Sequence, residues 1–291
     1  MASCIILTDN GSLRPEATFS LRRLATALGE RIGKPIHAVS LLHSGRIDPD
    51  KLDGKPADTF EKFVLAKREE GIDEFLVVPL FFGPSAAIAE YLPQRVDVMR
   101  EEQGWTKLTV RVAPCLVNLK EVDDYRVAQM LADHVLRKHA SLNLSDKPSV
   151  ALVDHGTPRK TVTDVRNHLA TQLGELLGDK FHEVKPCSME RRESKEYDYN
   201  EPLLEHLLGS SAFHKEVIVS MLFLQPGRHA GEGGDVVEIC EDAEKANPGL
   251  TTHITDLLGL HPRLLDLLEE RLAQGKDLEP VCWQAMSHSR T

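Results

Sequence analysis

The chain resembles itself. ILTDNGSLRPEAT (6–18) lies on ALVDHGTPRKTVT (151–163), pairing Leu7, Asp9, Gly11, Arg14 and Thr18 with Leu152, Asp154, Gly156, Arg159 and Thr163. EFLVVPLFFGP (74–84) lies on EVIVSMLFLQP (216–226) at nearly the same separation, pairing Glu74, Val77, Leu80, Phe81 and Pro84 with Glu216, Val219, Leu222, Phe223 and Pro226. An internal duplication constrains the fold more than any composition figure, because both copies must be able to form the same unit.

Within each copy, short apolar runs alternate with longer amphipathic stretches, the pattern of βαβ units and a mainly parallel sheet. In the first copy, strands are expected near 4–8, 36–42, 75–82 and 107–113, with helices over 15–32, 57–70, 86–102 and 120–139. The second copy repeats the plan, with strands near 149–153, 181–187, 216–224 and 251–255 and helices near 161–177, 200–208, 233–245 and 262–273. The polar stretch SLNLSDKPS (141–149) reads as a linker. The expectation is two similar α/β domains of flavodoxin-like or Rossmann-like topology, 1–143 and 144–291, each with a four-stranded, mainly parallel sheet flanked by helices.

Charge and cysteine usage narrow the function. The formal net charge of −10, with no Lys/Arg-rich block, argues against a general nucleic-acid binder, which needs a concentrated basic face. The 5 cysteines are scattered and fit neither a disulfide framework nor close metal-ligand spacing, which points to a reducing, cytoplasmic setting. The N-terminus MASCIILTDNG reads as neither signal peptide nor anchor, and no apolar run is long enough to span a bilayer, so no membrane partner is expected.

The copies differ at polar positions on strand ends, where open α/β sheets bind ligands. His155 stands opposite Asn10 and His229 opposite Ala87; counting on from the first strand, Glu190 falls opposite Gly45. Neutral imidazole suits Co²⁺, Ni²⁺ and Fe²⁺, a carboxylate adds charge and an oxygen donor, and two histidines with one acid leave coordination positions open. Taken singly, a histidine after a strand is most often a packing or capping residue; the pair on duplicated strand ends is the stronger signal. Glu190 sits among charges and reads equally as part of a solvated loop. DNGSLR and DHGTPR lack the GxGxxG spacing of a dinucleotide site.

The motif pair DHGT (154–157) and LFLQPGRHAGE (222–232) resembles the class II tetrapyrrole metal chelatases, in particular the sirohydrochlorin cobaltochelatases and siroheme ferrochelatases of the CbiX and SirB kind, whose long members are duplicated. The resemblance is specific in the second copy and weaker in the first. It implies insertion of a divalent metal into sirohydrochlorin or a related tetrapyrrole, with Co²⁺, Fe²⁺ or Ni²⁺ as substrate and no permanent cofactor, in a monomer or homodimer. It places the active-site histidines at His155 and His229 and their acidic partner at Glu190. This chain keeps its histidines in the second copy, unlike many long members.

A polycarboxylate ring needs cationic groups around it, for which Arg159, Lys160 and Arg228 are candidates. Gly156, Gly227 and Gly231 would allow close backbone approach, and Thr157 completes the first motif. Arg159 is matched by Arg14 in the copy without histidines, which favours a role in the turn; Arg228 faces Ala86 and is the better functional candidate. A non-catalytic tetrapyrrole or metal carrier would carry the same histidines, and a zinc hydrolase would hold its metal tightly. Among the other histidines, His37 and His182 look like equivalent strand positions. His134, His139, His168, His206 and His214 lie on or near helices, and His253, His261 and His288 have no defensible partner spacing.

Overall fold

The structure, a computed structural model, describes residues 3–142, 144, 146–211, 213, 215–231 and 233–283. In chain order its elements are β1 (Ser3–Asp9), α1 (Pro15–Ile32), β2 (Ile36–Ser40), β3 (Asp58–Thr59), α2 (Phe60–Glu69), β4 (Glu74–Pro79), α3 (Leu92–Gln103), β5 (Thr109–Val112) and α4 (Arg126–Ala140). They continue with β6 (Ser149–Asp154), α5 (Lys160–Leu177), β7 (Val184–Ser188), α6 (Leu204–Leu208), β8 (Glu216–Met221), α7 (Asp235–Ala246), β9 (Thr251–Ile254) and α8 (Leu264–Gly275).

Two sheets form, ordered β3-β2-β1-β4-β5 and β7-β6-β8-β9, and every pairing is parallel. The central strands β1 and β6 are near-continuous apolar runs because helices cover both faces of such a sheet; β6 is buried from end to end. The α/β expectation holds, with one correction: the first sheet has five strands. Asp58–Thr59 pairs with Val39–Ser40 in a stretch that the sequence pattern assigns to the start of a helix. Two residues are too few to show a period of two before the helical pattern of α2 takes over.

Helix α1 begins with Pro15 in its first turn and stops at Gly33, whose φ of 66° closes the C-terminal turn by donating to Gly29. Ala17, Leu21, Leu24, Ala25 and Leu28 form its buried stripe. In α5 the equivalent stripe of Leu169, Leu173 and Leu177 includes a charged residue, Arg166.

The chain divides into two compact units, one comprising residues up to Leu116 together with those from Leu264 onward, the other Val117–Arg263. The division at 143/144 therefore marks the repeat and not the packing. Helix α8 packs on α1 and β4 of the first unit, where a Cβ on Gly275 would come within 2.7 Å of the Ala113 Cβ. Helix α4 packs on α5 and β8 of the second unit through Val127, Met130, Leu131 and Val135. Each copy's last helix belongs to the other copy's unit, and sequence periodicity cannot say which sheet an apolar stripe will cover. Among the described residues no helix is long and apolar enough to cross a membrane.

Candidate functional site

Three loops leave the carboxyl ends of β6, β7 and β8 side by side. At the end of β6, the Asp154 carboxylate accepts from the Gly156 N–H at 3.1 Å, and Gly156 takes a φ of 91°. A Cβ on Gly156 would stand 1.9 Å from the Glu190 carbonyl oxygen, so only glycine lets these loops touch. Backbone bonds from Met189 N–H to Asp154 O (2.7 Å) and from Glu190 N–H to His155 O (3.2 Å) extend the pairing past the sheet. His155 and Glu190 are thereby forced together, with Nε2 to Oε1 at 3.3 Å.

The third loop starts where Leu222 N–H reaches Val153 O at 2.9 Å. It turns through Gly227 N–H to Ala230 O at 2.8 Å, and His229 Nδ1 meets the Asp235 carboxylate at 2.6 Å. The rings of His155 and His229 stand 4.5 Å apart, edge to face at 66°. His155 and Glu190 are exposed, and His229 is half-buried.

Beneath the loops lies a buried polar frame. Arg166, 1% exposed, donates to Ser188 Oγ and to Asn200 O (3.0 Å), with its guanidinium 3.6 Å from Asp154; Ser188 Oγ donates to Asp154 at 2.6 Å. Asn200 accepts from Thr157 N–H and returns a bond to Thr157 O. Burial raises the Asp154 carboxyl above its ordinary value, opposed by Arg166, Ser188 and the Gly156 N–H. A buried charge network of this kind fixes geometry when all its members are satisfied.

The two imidazoles differ in what they face. His155 presents Nδ1 to Gly156 O at 3.0 Å and Nε2 to Glu190, both of them acceptors, so only the imidazolium donates to both. His229 has one acceptor, Asp235, at Nδ1. Among the described residues no group of three or more His, Cys, Asp or Glu stands together as a set that could hold a metal ion.

His155, His229 and Glu190 thus converge, and the structure revises one equivalence. Glu190 N–H bonds His155 O as Leu42 N–H bonds Asn10 O, so Glu190 matches Leu42 rather than Gly45. The close approach of Gly156 is to Glu190. Thr157 is a turn residue, bonded by Asn200 and accepting Arg159 N–H at its hydroxyl. Arg159 is half-buried at the start of α5, and Lys160 pairs with Asp164. Gly227 has open space around it. Arg228 is 78% exposed, with Nε 3.8 Å from Asp235.

Four site residues escape the sequence reading: Asp235, Arg166, Ser188 and Asn200. Arg166 leaves a signal, a charge inside an apolar helical stripe where the first copy has Leu21. Asn200 leaves none, because its loop has no counterpart pattern. Among the other histidines, His253 bonds Glu216 and His261 faces Asp133, while His214 and His288 lie outside the described residues. Burial pushes the Cys187 thiol up, as expected for a strand cysteine.

The CbiX family model matches residues 149–275. Over those residues the chain is similar to the CbiX family. The CbiX segment contains His155, Glu190 and His229 together with the Arg166 frame and Asp235. The chain is 30% identical over 129 residues to a sirohydrochlorin ferrochelatase, chloroplastic, of Arabidopsis thaliana, covering 44% of this chain and 53% of that protein. It therefore spans about half the length of that curated relative. Among solved structures it is similar to SirB from Bacillus subtilis with Fe³⁺ (TM-score 0.63, 15% identity, 95% of this chain and 96% of that one). It is also similar to the sirohydrochlorin chelatase SirB from Bacillus subtilis subspecies spizizenii in complex with cobalt (TM-score 0.65, 15% identity, 97% and 100%). These structural likenesses show the fold.

Proposed function

We propose that the chain is a sirohydrochlorin chelatase that inserts a divalent metal ion, cobalt or iron, into sirohydrochlorin or a related tetrapyrrole, in cobalamin or siroheme biosynthesis. The observation that carries this reading is the pair of imidazoles, His155 and His229, 4.5 Å apart with Glu190 at 3.3 Å from His155. The match of the CbiX family model to the segment that bears them supports it.

Insertion forms four metal–nitrogen bonds and releases two protons from pyrrole nitrogens, so the site needs both a transient ligand and a proton acceptor. His155 and His229 hold the incoming ion over the macrocycle and take up its protons, and Glu190 helps to bind the metal or relays a proton. Imidazole and carboxylate suit iron, cobalt and nickel alike. Arg159, Lys160 and Arg228 are the candidate cations for the substrate's carboxylates. All five cysteines are free, which supports a reducing compartment such as the cytoplasm.

The test is timed absorbance spectra of sirohydrochlorin with Co²⁺ or, anaerobically, Fe²⁺. The wild-type chain accelerates insertion, and His155→Ala and His229→Ala each lose roughly 10²-fold or more in rate. Binding of the macrocycle without any acceleration makes the protein a carrier and ends the enzymatic reading.

A further inference from the structure

We propose that Asp235 is a positioning residue that sets the tautomer of His229, so that this imidazole offers Nε2, unprotonated, to the incoming metal ion. The inference deepens the chelatase reading and rests on it for the identity of the site. The hydrogen bond that carries it is independent of that reading.

Asp235 is the first residue of α7, and the helix start is folded back onto the histidine loop. Its N–H donates to Arg228 O and the next N–H, of Val236, donates to His229 O, both at 3.3 Å. A Cβ on the preceding Gly234 would come 3.0 Å from the His229 carbonyl, so backbone packs directly on backbone there. In this frame Asp235 Oδ2 lies 2.6 Å from His229 Nδ1. A carboxylate only accepts, so Nδ1 carries the hydrogen, and the lone pair of the neutral ring falls on Nε2. A histidine whose second nitrogen is held by a carboxylate is oriented and more basic as a ligand.

The first copy supplies a control. Where His229 has its counterpart in Ala87, the residue six positions on, which stands opposite Asp235, is Pro93. The helical run of the first copy starts at the Ala87 position itself and carries Glu90 in its first turn, so the carboxylate six residues after the imidazole belongs to the second copy.

An acid at a helix start also serves the helix dipole, and the experiment must separate the two roles. Long-range ¹H–¹⁵N NMR of ¹⁵N-histidine-labelled protein at mildly alkaline pH, assigned with His229→Gln, reads the ring tautomer. A Co²⁺ titration followed by visible absorption reads ligation. The wild type shows His229 as the Nδ1–H form. Asp235→Asn shifts it toward Nε2–H and weakens Co²⁺ binding about 10- to 100-fold, while far-UV circular dichroism and the melting temperature hold.

A wild-type Nε2–H ring, or an Asp235→Asn variant with unchanged tautomer and unchanged Co²⁺ affinity, overturns the inference. Unchanged Co²⁺ binding in His229→Ala overturns it as well. A chain that meets the tautomer and Co²⁺ expectations yet inserts no metal into sirohydrochlorin overturns the proposed function and leaves the role of Asp235 standing.

Discussion

The ends of β1 and β2 in the first unit and of β6 and β7 in the second share one backbone and a buried Asp–Ser pair, Asp9 with Ser40 and Asp154 with Ser188, and differ in the side chains above it. Asn10 O accepts from Leu42 N–H at 3.1 Å as His155 O accepts from Glu190 N–H at 3.2 Å. Gly11 and Gly156 hold φ values of 85° and 91°, each with a partner carbonyl where a Cβ would go. Asn10, Leu42 and Ala87 occupy one set of positions and His155, Glu190 and His229 the other. The loop scaffold therefore belongs to the fold and the chemistry to the side chains hung on it. Beneath, Asp9 and Asp154 are both buried, but Leu21 stands where the second unit has Arg166.

Making the second unit resemble the first should break the chemistry first. His155→Asn installs the residue of the first copy at an exposed position. It should lower the insertion rate roughly 10²- to 10⁴-fold, with a stability change within about 0.5 kcal/mol. Insertion kinetics and thermal melts measured together check the pair of outcomes. A comparable loss of both would mean that His155 is structural.

Arg166→Leu imports the residue beneath the first site. It strips Asp154 of its cation and frees Ser188 and Asn200, the residues that hold the β6 and β7 loops. Removing one partner of a buried ion pair costs about 3–5 kcal/mol. Differential scanning calorimetry should show that loss in the second unit. Both tryptophans, Trp105 and Trp283, lie in the first unit, so the fluorescence transition should move far less.

The glycines sharpen the comparison further. Gly11→Ala and Gly156→Ala meet carbonyl oxygens at 1.8 and 1.9 Å, and each should destabilise its unit by roughly 1–3 kcal/mol. Only Gly156→Ala should also slow insertion, because only there does the displaced carbonyl belong to Glu190. Equal activity loss in both variants would contradict the confinement of the chemistry to the second unit.

What the sequence made legible follows from the same contrast. Alternating apolar and amphipathic runs disclosed the strands other than β3, and α1, whose bounds agree with the pattern, and the duplication marked His155 and His229 as departures between copies. Glu190 was matched to Gly45, because loop lengths after β2 and β7 cannot be aligned by counting; the backbone bonds beyond the strands correct the match to Leu42. Asp235 was invisible because an acid at a helix start is ordinary in sequence, and only the turn of the 226–234 loop brings it to His229. The exchange of α4 and α8 between units was equally hidden, since an apolar stripe does not name the sheet it will cover.

The smallest expected effect concerns the buried aspartates themselves. Burial raises the Asp9 carboxyl above its ordinary 3.8, against the pull of Ser40 and the Gly11 N–H. A carboxyl raised in the folded state keeps its proton at pH values where the unfolded chain has released it, so stability falls as pH rises through that interval. This contribution is fully present below 3.8 and lost above the raised value. In Asp9→Asn the amide oxygen can still accept from Gly11, and the contribution is absent. Urea unfolding followed by tryptophan fluorescence, which reports the first unit, should therefore give a wild-type minus variant stability difference that declines as pH is raised from about 3.8 toward neutrality. Burial raises the Asp154 carboxyl in the same direction, so Asp154→Asn should show a decline of the same sign, added to a loss at neutral pH because the Arg166 cation is left buried without its carboxylate. A neutral-pH stability loss in Asp154→Asn no larger than in Asp9→Asn would show that Arg166 does not distinguish the two sites.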